Sequence, residues 1–191
     1  MLKSKKYEYL RASRKARRER GVFMPLFPAF LDLADKTVLI VGEGGEAEKK
    51  AEKMRLFCRN VVRSKYPPKY AEKPYVVILC ERENPDNERL VREFHEMGIL
   101  VNTADRPELC DFVFPSLITG GEVSVGISTN GTAPVLGALL RERVENIFPD
   151  DMEKAASAAK ELTEELRRTV PDAKQRGKLL REMIEQLLRE N

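Results

Sequence analysis

The stretch that decides the fold is Thr37-Val38-Leu39-Ile40-Val41-Gly42-Glu43-Gly44-Gly45-Glu46-Ala47. A short β-branched run ends at a glycine, as in strands that are buried on both faces of a parallel sheet. Apolar residues at three- and four-residue spacing then predict a helix over residues 46–57. Glycines let a backbone approach a pyrophosphate, and a helix N-terminus offers unpaired N–H groups. We therefore expect a βαβ-type dinucleotide-binding unit, with cofactor-binding residues Gly42, Gly44, Gly45, Glu46 and Ala47.

Further along, short apolar runs alternate with a helical pattern. Strands are predicted at 60–62, 75–80 and 99–101, and a helix at 84–97. This alternation indicates an α/β fold with a parallel sheet. Residues 63–74 contain Pro67-Pro68 and lack helical periodicity, so the expected Rossmann-like sheet is abridged, without the usual helix and strand at that point.

The turn itself leaves two interpretations open. A glycine-rich strand-to-helix turn can be purely structural, and Glu43 and Glu46 would place carboxylates beside a diphosphate. Arg63-Ser64-Lys65 ends the second strand, where NAD enzymes often have an acidic residue for the ribose hydroxyls. The basic pair would suit a 2′-phosphate, or it is merely solvated.

The pattern changes after Pro107. Residues 112–115 and 123–129 flank a glycine pair and predict an antiparallel hairpin, followed by a helix over 135–147. Two charged amphipathic helices follow, at 151–168 and 172–190. The expected organisation is a basic extension (1–23), a Rossmann-like domain (24–106), a dimerisation region of hairpin and helix (107–149) and a C-terminal helical pair (150–191).

Charge and composition narrow the function. The formal charge of +3 combines a strongly basic segment, residues 1–22, with a mildly acidic remainder. Such a tail is either a solvated extension or a nucleic-acid, lipid or targeting segment, but the chain has no nucleic-acid-binding module to support the second possibility. No apolar run approaches the ~20 residues that span a bilayer. We expect neither a nucleic-acid partner nor a membrane span.

The histidine and cysteine content argues against catalytic triads and metal sites built on these residues. His95 is the single histidine, which argues against a His triad and against a His-based metal cluster. Cys58, Cys80 and Cys110 are too far apart for a CxxC metal clip. They are expected to be reduced, mostly buried thiols in a cytoplasmic protein.

Two long blocks carry a resemblance to a known family. They are Val101-Asn102-Thr103-Ala104-Asp105-Arg106-Pro107-Glu108-Leu109-Cys110-Asp111-Phe112-Val113-Phe114-Pro115 and Ile127-Ser128-Thr129-Asn130-Gly131-Thr132-Ala133-Pro134-Val135-Leu136. With the glycine turn, they resemble the precorrin-2 dehydrogenase and sirohydrochlorin ferrochelatase family, the N-terminal module of siroheme synthase. The resemblance implies an NAD-dependent oxidation of precorrin-2 to sirohydrochlorin and, in bifunctional members, insertion of Fe²⁺ as the substrate metal. NADP is the alternative cofactor, which the basic residues Arg63 and Lys65 would suit. It also implies a tetrapyrrole-binding homodimer that is joined through the hairpin region.

The resemblance assigns roles to specific residues. Asp105 matches the catalytic aspartate, which could accept a proton during oxidation or hold the incoming metal transiently. Ser128, Thr129, Asn130 and Gly131 match a substrate-binding loop over the tetrapyrrole. Structural alternatives remain: Asp105 as a turn cap, Thr132 as a helix cap, and Glu108 and Asp111 as first-turn helix acids.

Three departures from the family pattern fall on the cofactor side: the acids of the glycine turn, Cys80-Glu81-Arg82 in place of Ala-Thr-Asp, and the short segment before Tyr75. The alternative function is therefore a non-catalytic or chelatase-only tetrapyrrole-binding relative in which NAD binding is impaired.

Overall fold

The computed structural model describes residues 26–82, 84–104, 106–148 and 151–190. The predicted basic extension, residues 1–23, and Asp105 lie outside this part of the chain. Contacts divide the chain into two compact units, one up to Val113 and one from Phe114. Each unit is described separately below.

The first unit is built on a parallel four-stranded sheet in the order β2-β1-β3-β4. The strands are β1 (Thr37–Val41), β2 (Asn60–Ser64), β3 (Val76–Leu79) and β4 (Leu100–Thr103). Helix α1 (Gly44–Arg55) connects β1 to β2, and helix α2 (Asn87–Glu96) connects β3 to β4. This arrangement confirms the Rossmann-like α/β class. It also brings the carboxyl ends of all four strands to one edge of the sheet.

Alternating side chains of the strands supply the core on both faces of this sheet. Leu39, Val41, Val77 and Leu79 share one buried cluster with Leu90, Val91 and Phe94 of α2. The intervening residues Val38 and Ile40 are also fully buried, as are Ala47 and Ala51 of α1. Because successive strand residues point to opposite faces, α1 covers the face opposite α2. The continuous apolar runs in the sequence reflect this two-sided burial.

The connection between β2 and β3 is abridged, as predicted. Residues 65–75 form neither a helix nor a strand, and the Tyr66–Pro67 peptide bond is cis. The Tyr66 hydroxyl is hydrogen-bonded to the Asn87 side chain, and Asn87 Nδ2 donates to the Glu81 carbonyl at 2.9 Å. Asn87 is only 1% exposed, so this polar cluster fastens the connection to the start of α2.

The second unit begins with an antiparallel hairpin of β5 (Ser116–Gly120) and β6 (Val123–Ile127), closed by Gly121-Glu122. Helix α3 (Pro134–Glu145) follows the hairpin. The predicted C-terminal pair is confirmed as α4 (Met152–Thr169) and α5 (Ala173–Glu190). No helix in the described ranges is long and apolar enough to cross a membrane.

Most predicted boundaries differ from the observed ones by one or two residues, and three of the differences have a clear structural reason. Helix α1 begins at Gly44 instead of residue 46, because first-turn residues need no intrahelical N–H partner and tolerate glycine. Helix α2 begins at Asn87 instead of residue 84, because Asn84 Oδ1 accepts the Asp86 N–H at 2.9 Å and turns the chain.

The start of the first hairpin strand is the third of these differences, since β5 begins at Ser116 and not at residue 112. The backbone before Ser116 does not pair with β6, because Phe112 O accepts a hydrogen bond from Asn102 Nδ2 of β4 at 2.9 Å.

Candidate functional site

The glycine turn lies between β1 and α1 at the carboxyl edge of the sheet. Gly42 has φ +130°, and a Cβ added there would lie 3.2 Å from Cys80 Cβ and 3.3 Å from Glu81 Cγ. Its N–H donates to Ser64 O at 2.9 Å, which joins the turn to the end of β2. A side chain at this position would face both a strained φ and a steric conflict. Gly42 is therefore required for the tight turn, as predicted from the sequence.

The N-terminus of α1 has the uncapped backbone N–H groups and the free space that a phosphate-binding site requires. Glu43 is the N-cap residue, but its side chain makes no capping hydrogen bond. Gly44, with φ +79°, and Gly45 have no atom within 4 Å of an added Cβ. Backbone N–H groups at a helix start with this much space can bind an anion. Ala47 is fully buried, as expected for the third small position of the motif.

The acids around this turn are each paired with a base. Glu43 Oε1 lies 2.6 Å from Lys65 Nζ, and its hydrogen bond raises the pKa of Lys65. Glu46 lies 4.0 Å from Lys50, one helical turn away. The carboxylates of Glu43 and Glu46, which the sequence places beside a diphosphate, are thus partly neutralised. Their partners, Lys65 and Lys50, were not predicted from the sequence.

Arg63 is also paired at this edge of the sheet. Its guanidinium forms an ion pair with Glu48 of α1. Both cations therefore contact acids on or next to α1, with Arg63 37% exposed and Lys65 78% exposed. Their spacing of two along an extended chain could have predicted that they share a face.

The end of β3 borders the turn on its other side. Cys80 is 7% exposed, and burial raises the pKa of its thiol to about 11. Glu81 Oε2 accepts a hydrogen bond from Asn84 Nδ2 at 2.9 Å. Glu81 is one of the residues that stand here in place of the family's Ala-Thr-Asp. Its carboxylate is therefore held by the side chain of a neighbouring residue.

The neighbours of Asp105 are anchored at the end of β4, although Asp105 itself lies outside the described residues. The Ala104 N–H donates to Leu79 O at 2.9 Å, next to the end of β3. Arg106 binds Glu108 at 2.5 Å and Glu88 at 2.7 Å, and these two hydrogen bonds raise the pKa of its guanidinium. The segment that carries Asp105 thus follows β4 at the same edge of the sheet as the glycine turn.

Asp111 has a structural role that sequence reasoning missed. Its Oδ2 accepts the Val101 N–H at 2.9 Å and lies 2.6 Å from His95 Nε2, while its own N–H donates to Val101 O at 2.8 Å. It is therefore not a first-turn helix acid, because it pairs the open side of β4, the edge strand of the sheet. Glu108 does lie in the short 3-10 helix Pro107–Leu109.

The predicted substrate loop follows β6 in the second unit. Asn130 and Gly131 have φ values of +54° and +74°, and the Asn130 N–H donates to Ser128 Oγ at 3.2 Å. Thr132 Oγ1 donates to Thr129 O at 2.6 Å, and the N-cap of α3 is Ala133. Thr132 is therefore not the helix cap. The loop is a compact turn with exposed Ser128 and Gly131.

Metal-binding geometry is not evident in the part of the chain that the structure describes, where no group of three or more His, Cys, Asp or Glu side chains could hold an ion. Cys58 and Cys80 are buried free thiols, and Cys110 is half-buried. The predicted role of Asp105 toward a metal concerns a residue outside the described ranges.

Two family models match the chain. One, described as "Putative NAD(P)-binding", matches residues 56–116, and one described as "Sirohaem biosynthesis protein central" matches residues 121–147. The first match begins after the glycine turn. It includes β2, β3, β4 and the Asp105 segment, while the second includes the turn and second strand of the hairpin, the predicted substrate loop and α3.

Similar proteins agree with these models. The siroheme synthase of Psychrobacter sp. (strain PRwf-1) is 30% identical over 170 residues, 78% of this chain and 35% of that protein. The siroheme synthase of Psychrobacter arcticus is 33% identical over 174 residues, 78% of this chain and 31% of that protein. This chain thus spans about a third of the length of the curated relatives it matches.

A solved structure supports the fold independently. The structure of "SirC, precorrin-2 dehydrogenase" superposes with a TM-score of 0.63 at 18% identity, covering 87% of this chain and 93% of that one. At this identity the similarity concerns the fold. Together with the matching models and relatives, it shows that the chain belongs to the siroheme synthase family, of which it carries the regions that the two family models describe.

Proposed function

We propose that this chain is a precorrin-2 dehydrogenase of siroheme biosynthesis, which oxidises precorrin-2 to sirohydrochlorin with NAD(P)⁺. The observation that carries the proposal is the open glycine turn at the carboxyl edge of the sheet, the edge at which the Asp105 segment also leaves β4. Ligands of open α/β sheets bind outside the carboxyl ends of the strands. The family membership and the similarity to SirC, a precorrin-2 dehydrogenase, support this particular oxidation.

The residues of the turn fit a dinucleotide. Gly42 leaves no room for a side chain against Cys80, and the uncapped start of α1 presents the backbone N–H groups of Gly44 and Gly45. These groups would hold the diphosphate. When bound, the nicotinamide accepts a hydride from the macrocycle. The proposal therefore favours a functional cofactor site over the alternative in which dinucleotide binding is lost.

Asp105 is proposed as the group that takes the proton when the hydride leaves. Oxidation of the macrocycle by two electrons releases one hydride and one proton, and a carboxylate beside the crevice can accept the proton. The residues on either side of Asp105, Ala104 and Arg106, are held at the end of β4 by a backbone hydrogen bond and an ion pair. Ser128, Thr129, Asn130 and Gly131 are proposed to bind the tetrapyrrole, through hydroxyl, amide and backbone N–H groups.

The test is an assay of the purified chain with precorrin-2 and either NAD⁺ or NADP⁺, following reduced nicotinamide by absorbance. We expect turnover in the parent. Asp105→Asn should lower kcat by about 10²-fold or more, as for loss of a general base, with dinucleotide affinity retained. Asp35→Asn is the matched control, because Asp35 precedes β1, at the opposite edge of the sheet. An inactive parent that still binds tetrapyrrole would refute the proposal in favour of a binding role.

Insertion of Fe²⁺ into sirohydrochlorin is a second proposed activity of the same chain. It rests on family membership and on Asp105, whose carboxylate could hold the substrate metal or take pyrrole protons. An assay with sirohydrochlorin and Fe²⁺, without a dinucleotide, separates this activity from the oxidation. If Asp105→Asn abolished oxidation but left chelation at the parent rate, Asp105 would have no role in chelation.

A homodimer is proposed as the working form, in keeping with the predicted dimerisation region. Helix α3 buries only Gly137, while Val135, Leu136, Leu139 and Leu140 are between 38% and 73% exposed. A contiguous apolar face on one helix is typical of an interaction surface. We further propose that the protein is cytoplasmic, which cell fractionation would test.

A further inference from the structure

Two basic side chains stand at the carboxyl end of β2. Arg63 is the penultimate residue of the strand and Lys65 follows its last residue. Arg63 is paired with Ile40 in the sheet register, on the face that α1 covers, and it contacts Glu48 of that helix. Lys65, two residues on, contacts Glu43 at 2.6 Å. Both cations therefore lie on the α1 side of the sheet, beside the glycine turn.

This end of β2 adjoins the proposed phosphate site directly. Ser64 O accepts the Gly42 N–H at 2.9 Å, so one hydrogen bond separates the strand end from the turn. In Rossmann units an acidic residue after the second strand binds the 2′-hydroxyl of NAD, whereas a nearby arginine accommodates the 2′-phosphate of NADP. Here residues 63–71 contain no acid and three bases, of which Arg63 and Lys65 flank the strand end.

We propose that Lys65 and Arg63 are specificity-determining residues that make the site prefer NADP over NAD by binding the 2′-phosphate. This inference rests on the proposed function. A phosphate monoester carries a charge of about −1.5 to −2 at pH 7 and offers three strong acceptor oxygens. It is therefore a better partner for the two cations than the carboxylates that they contact in the free protein.

The existing ion pairs do not prevent Lys65 and Arg63 from exchanging their carboxylate partners for a 2′-phosphate. Lys65 and Glu43 are 78% and 60% exposed, and Arg63 and Glu48 are 37% and 43% exposed. Exposed pairs of this kind contribute little to stability and are easily separated. NAD has a neutral hydroxyl at the same position, which cannot replace the lost carboxylate contacts. The pairs thus leave the cations near the end of β2 in the free protein, and neither pair favours NAD.

Direct titration of the full chain with NADPH and with NADH, followed by nicotinamide fluorescence, tests the inference without any substrate. We expect NADPH to bind about tenfold tighter or more, because a hydrogen bond to a charged group is worth at least that factor. Lys65→Ala and Arg63→Ala should each weaken NADPH about tenfold and change NADH less than about twofold. Adenosine 2′,5′-bisphosphate should compete with NADPH better than 5′-AMP does.

Arg59→Ala is the matched control. Arg59 immediately precedes β2, at the opposite edge of the sheet, and pairs with Asp35 at 3.7 Å, so the variant loses a similar exposed pair. It should leave both affinities unchanged. Far-UV circular dichroism checks the fold of each variant.

The outcomes separate this inference from the proposed function. Equal affinities, or tighter NADH, would overturn the NADP preference while dinucleotide binding stands. A Lys65→Ala variant that weakens NADH as much as NADPH would also overturn it, because the lysine would then serve both cofactors alike. Binding of neither dinucleotide would refute the inference together with the proposed dehydrogenase activity.

Discussion

Gly42 determines the geometry of the turn and contributes to the stability of the fold. An alanine there would have φ +130° and a Cβ 3.2 Å from Cys80 Cβ. We predict that Gly42→Ala lowers the free energy of unfolding by about 1–3 kcal/mol, since an unfavourable φ alone costs that much. Urea denaturation measures the change, and dinucleotide titration should show a parallel loss of affinity.

Gly177→Ala is the control for this substitution. Gly177 is exposed on α5, and nothing lies within 4 Å of an added Cβ. Alanine should stabilise that helix by about 0.5–1 kcal/mol, the opposite sign. If the two variants shifted the urea midpoint equally, the steric requirement at Gly42 would be refuted.

Cys80 links the end of β3 to alkaline stability. Burial raises the pKa of its thiol from 9.0 to about 11, so the folded state favours the neutral form. This contribution to stability is complete below pH 9 and disappears as pH rises to about 11. We predict a loss on the order of 1–2 kcal/mol across that interval, at 1.36 kcal/mol per pKa unit.

The measurement for Cys80 is urea denaturation at several pH values. Tyr66 also titrates in alkali, with a pKa that burial raises, so its variant Tyr66→Phe provides the background for the comparison. In that background, Cys80→Ala should flatten the decline in unfolding free energy from pH 9 to 11. An unchanged slope would contradict the role of the buried thiol.

At the scale of elements, the connection that replaces a helix and a strand is fastened to the start of α2 by a polar contact, besides the packing of Tyr66 and Tyr70 against the core. The Tyr66 hydroxyl binds buried Asn87, which also holds the Glu81 carbonyl. We predict that Tyr66→Phe destabilises the first unit by about 1–3 kcal/mol, because Asn87 Oδ1 would be left unsatisfied. Limited proteolysis within residues 65–75 should become faster, measured by mass spectrometry of the fragments.

Tyr70→Phe is a closely matched control within the same connection. Its hydroxyl contacts Met97 Sδ at 3.9 Å, a weak and exposed interaction. Stability and proteolysis should remain at parent values. If Tyr66→Phe also stayed at parent values, the hydrogen bond to Asn87 would contribute nothing measurable, and Tyr66 would act through its ring, which phenylalanine retains.

Periodicity and glycine placement in the sequence predicted the four parallel strands and the abridged connection. Those features depend on local patterns: two-sided burial makes β1 and β3 continuously apolar, and Pro67-Pro68 interrupts helical spacing. Long-range pairing could not be predicted in the same way. Asp111 binds Val101 ten positions earlier, and Lys65 binds Glu43 across the sheet edge. Such contacts depend on which elements become neighbours, and a residue's own sequence context does not contain that information.

The prediction of the candidate site was limited in the same way, because it also missed long-range partners. The glycine motif identified Gly42 and Ala47 because their roles depend on backbone conformation and on packing of the adjacent helix. The charges around the motif suggested repulsion of a diphosphate, yet Glu43, Glu46 and Glu48 all have basic partners. The roles of Asp105 and of residues 128–131 remain predictions that came from family resemblance.

For the whole molecule, the exposed apolar face of α3 is the surface on which the proposed homodimer depends. Val135, Leu136, Leu139 and Leu140 lie at helical spacing that places them on neighbouring parts of one surface. In a monomer, water would solvate this face at a cost of ~25 cal/mol per Å² of apolar area. A second copy of the chain can cover it symmetrically, because a two-fold interface brings the same patch together from both subunits.

We therefore predict that Leu139→Lys converts a dimer into a monomer, since each interface would then contain two buried ammonium groups facing apolar surface. Light scattering coupled to size-exclusion chromatography measures the mass directly. Leu56→Lys, which alters a 71% exposed leucine in the first unit, should leave the parent mass unchanged. A monomeric parent, or a dimer that survives Leu139→Lys, would show that the face of α3 has another role. If the dimer is lost while the dinucleotide affinity of the glycine turn is retained, dimerisation is not required for cofactor binding, and any accompanying loss of turnover arises after the cofactor binds.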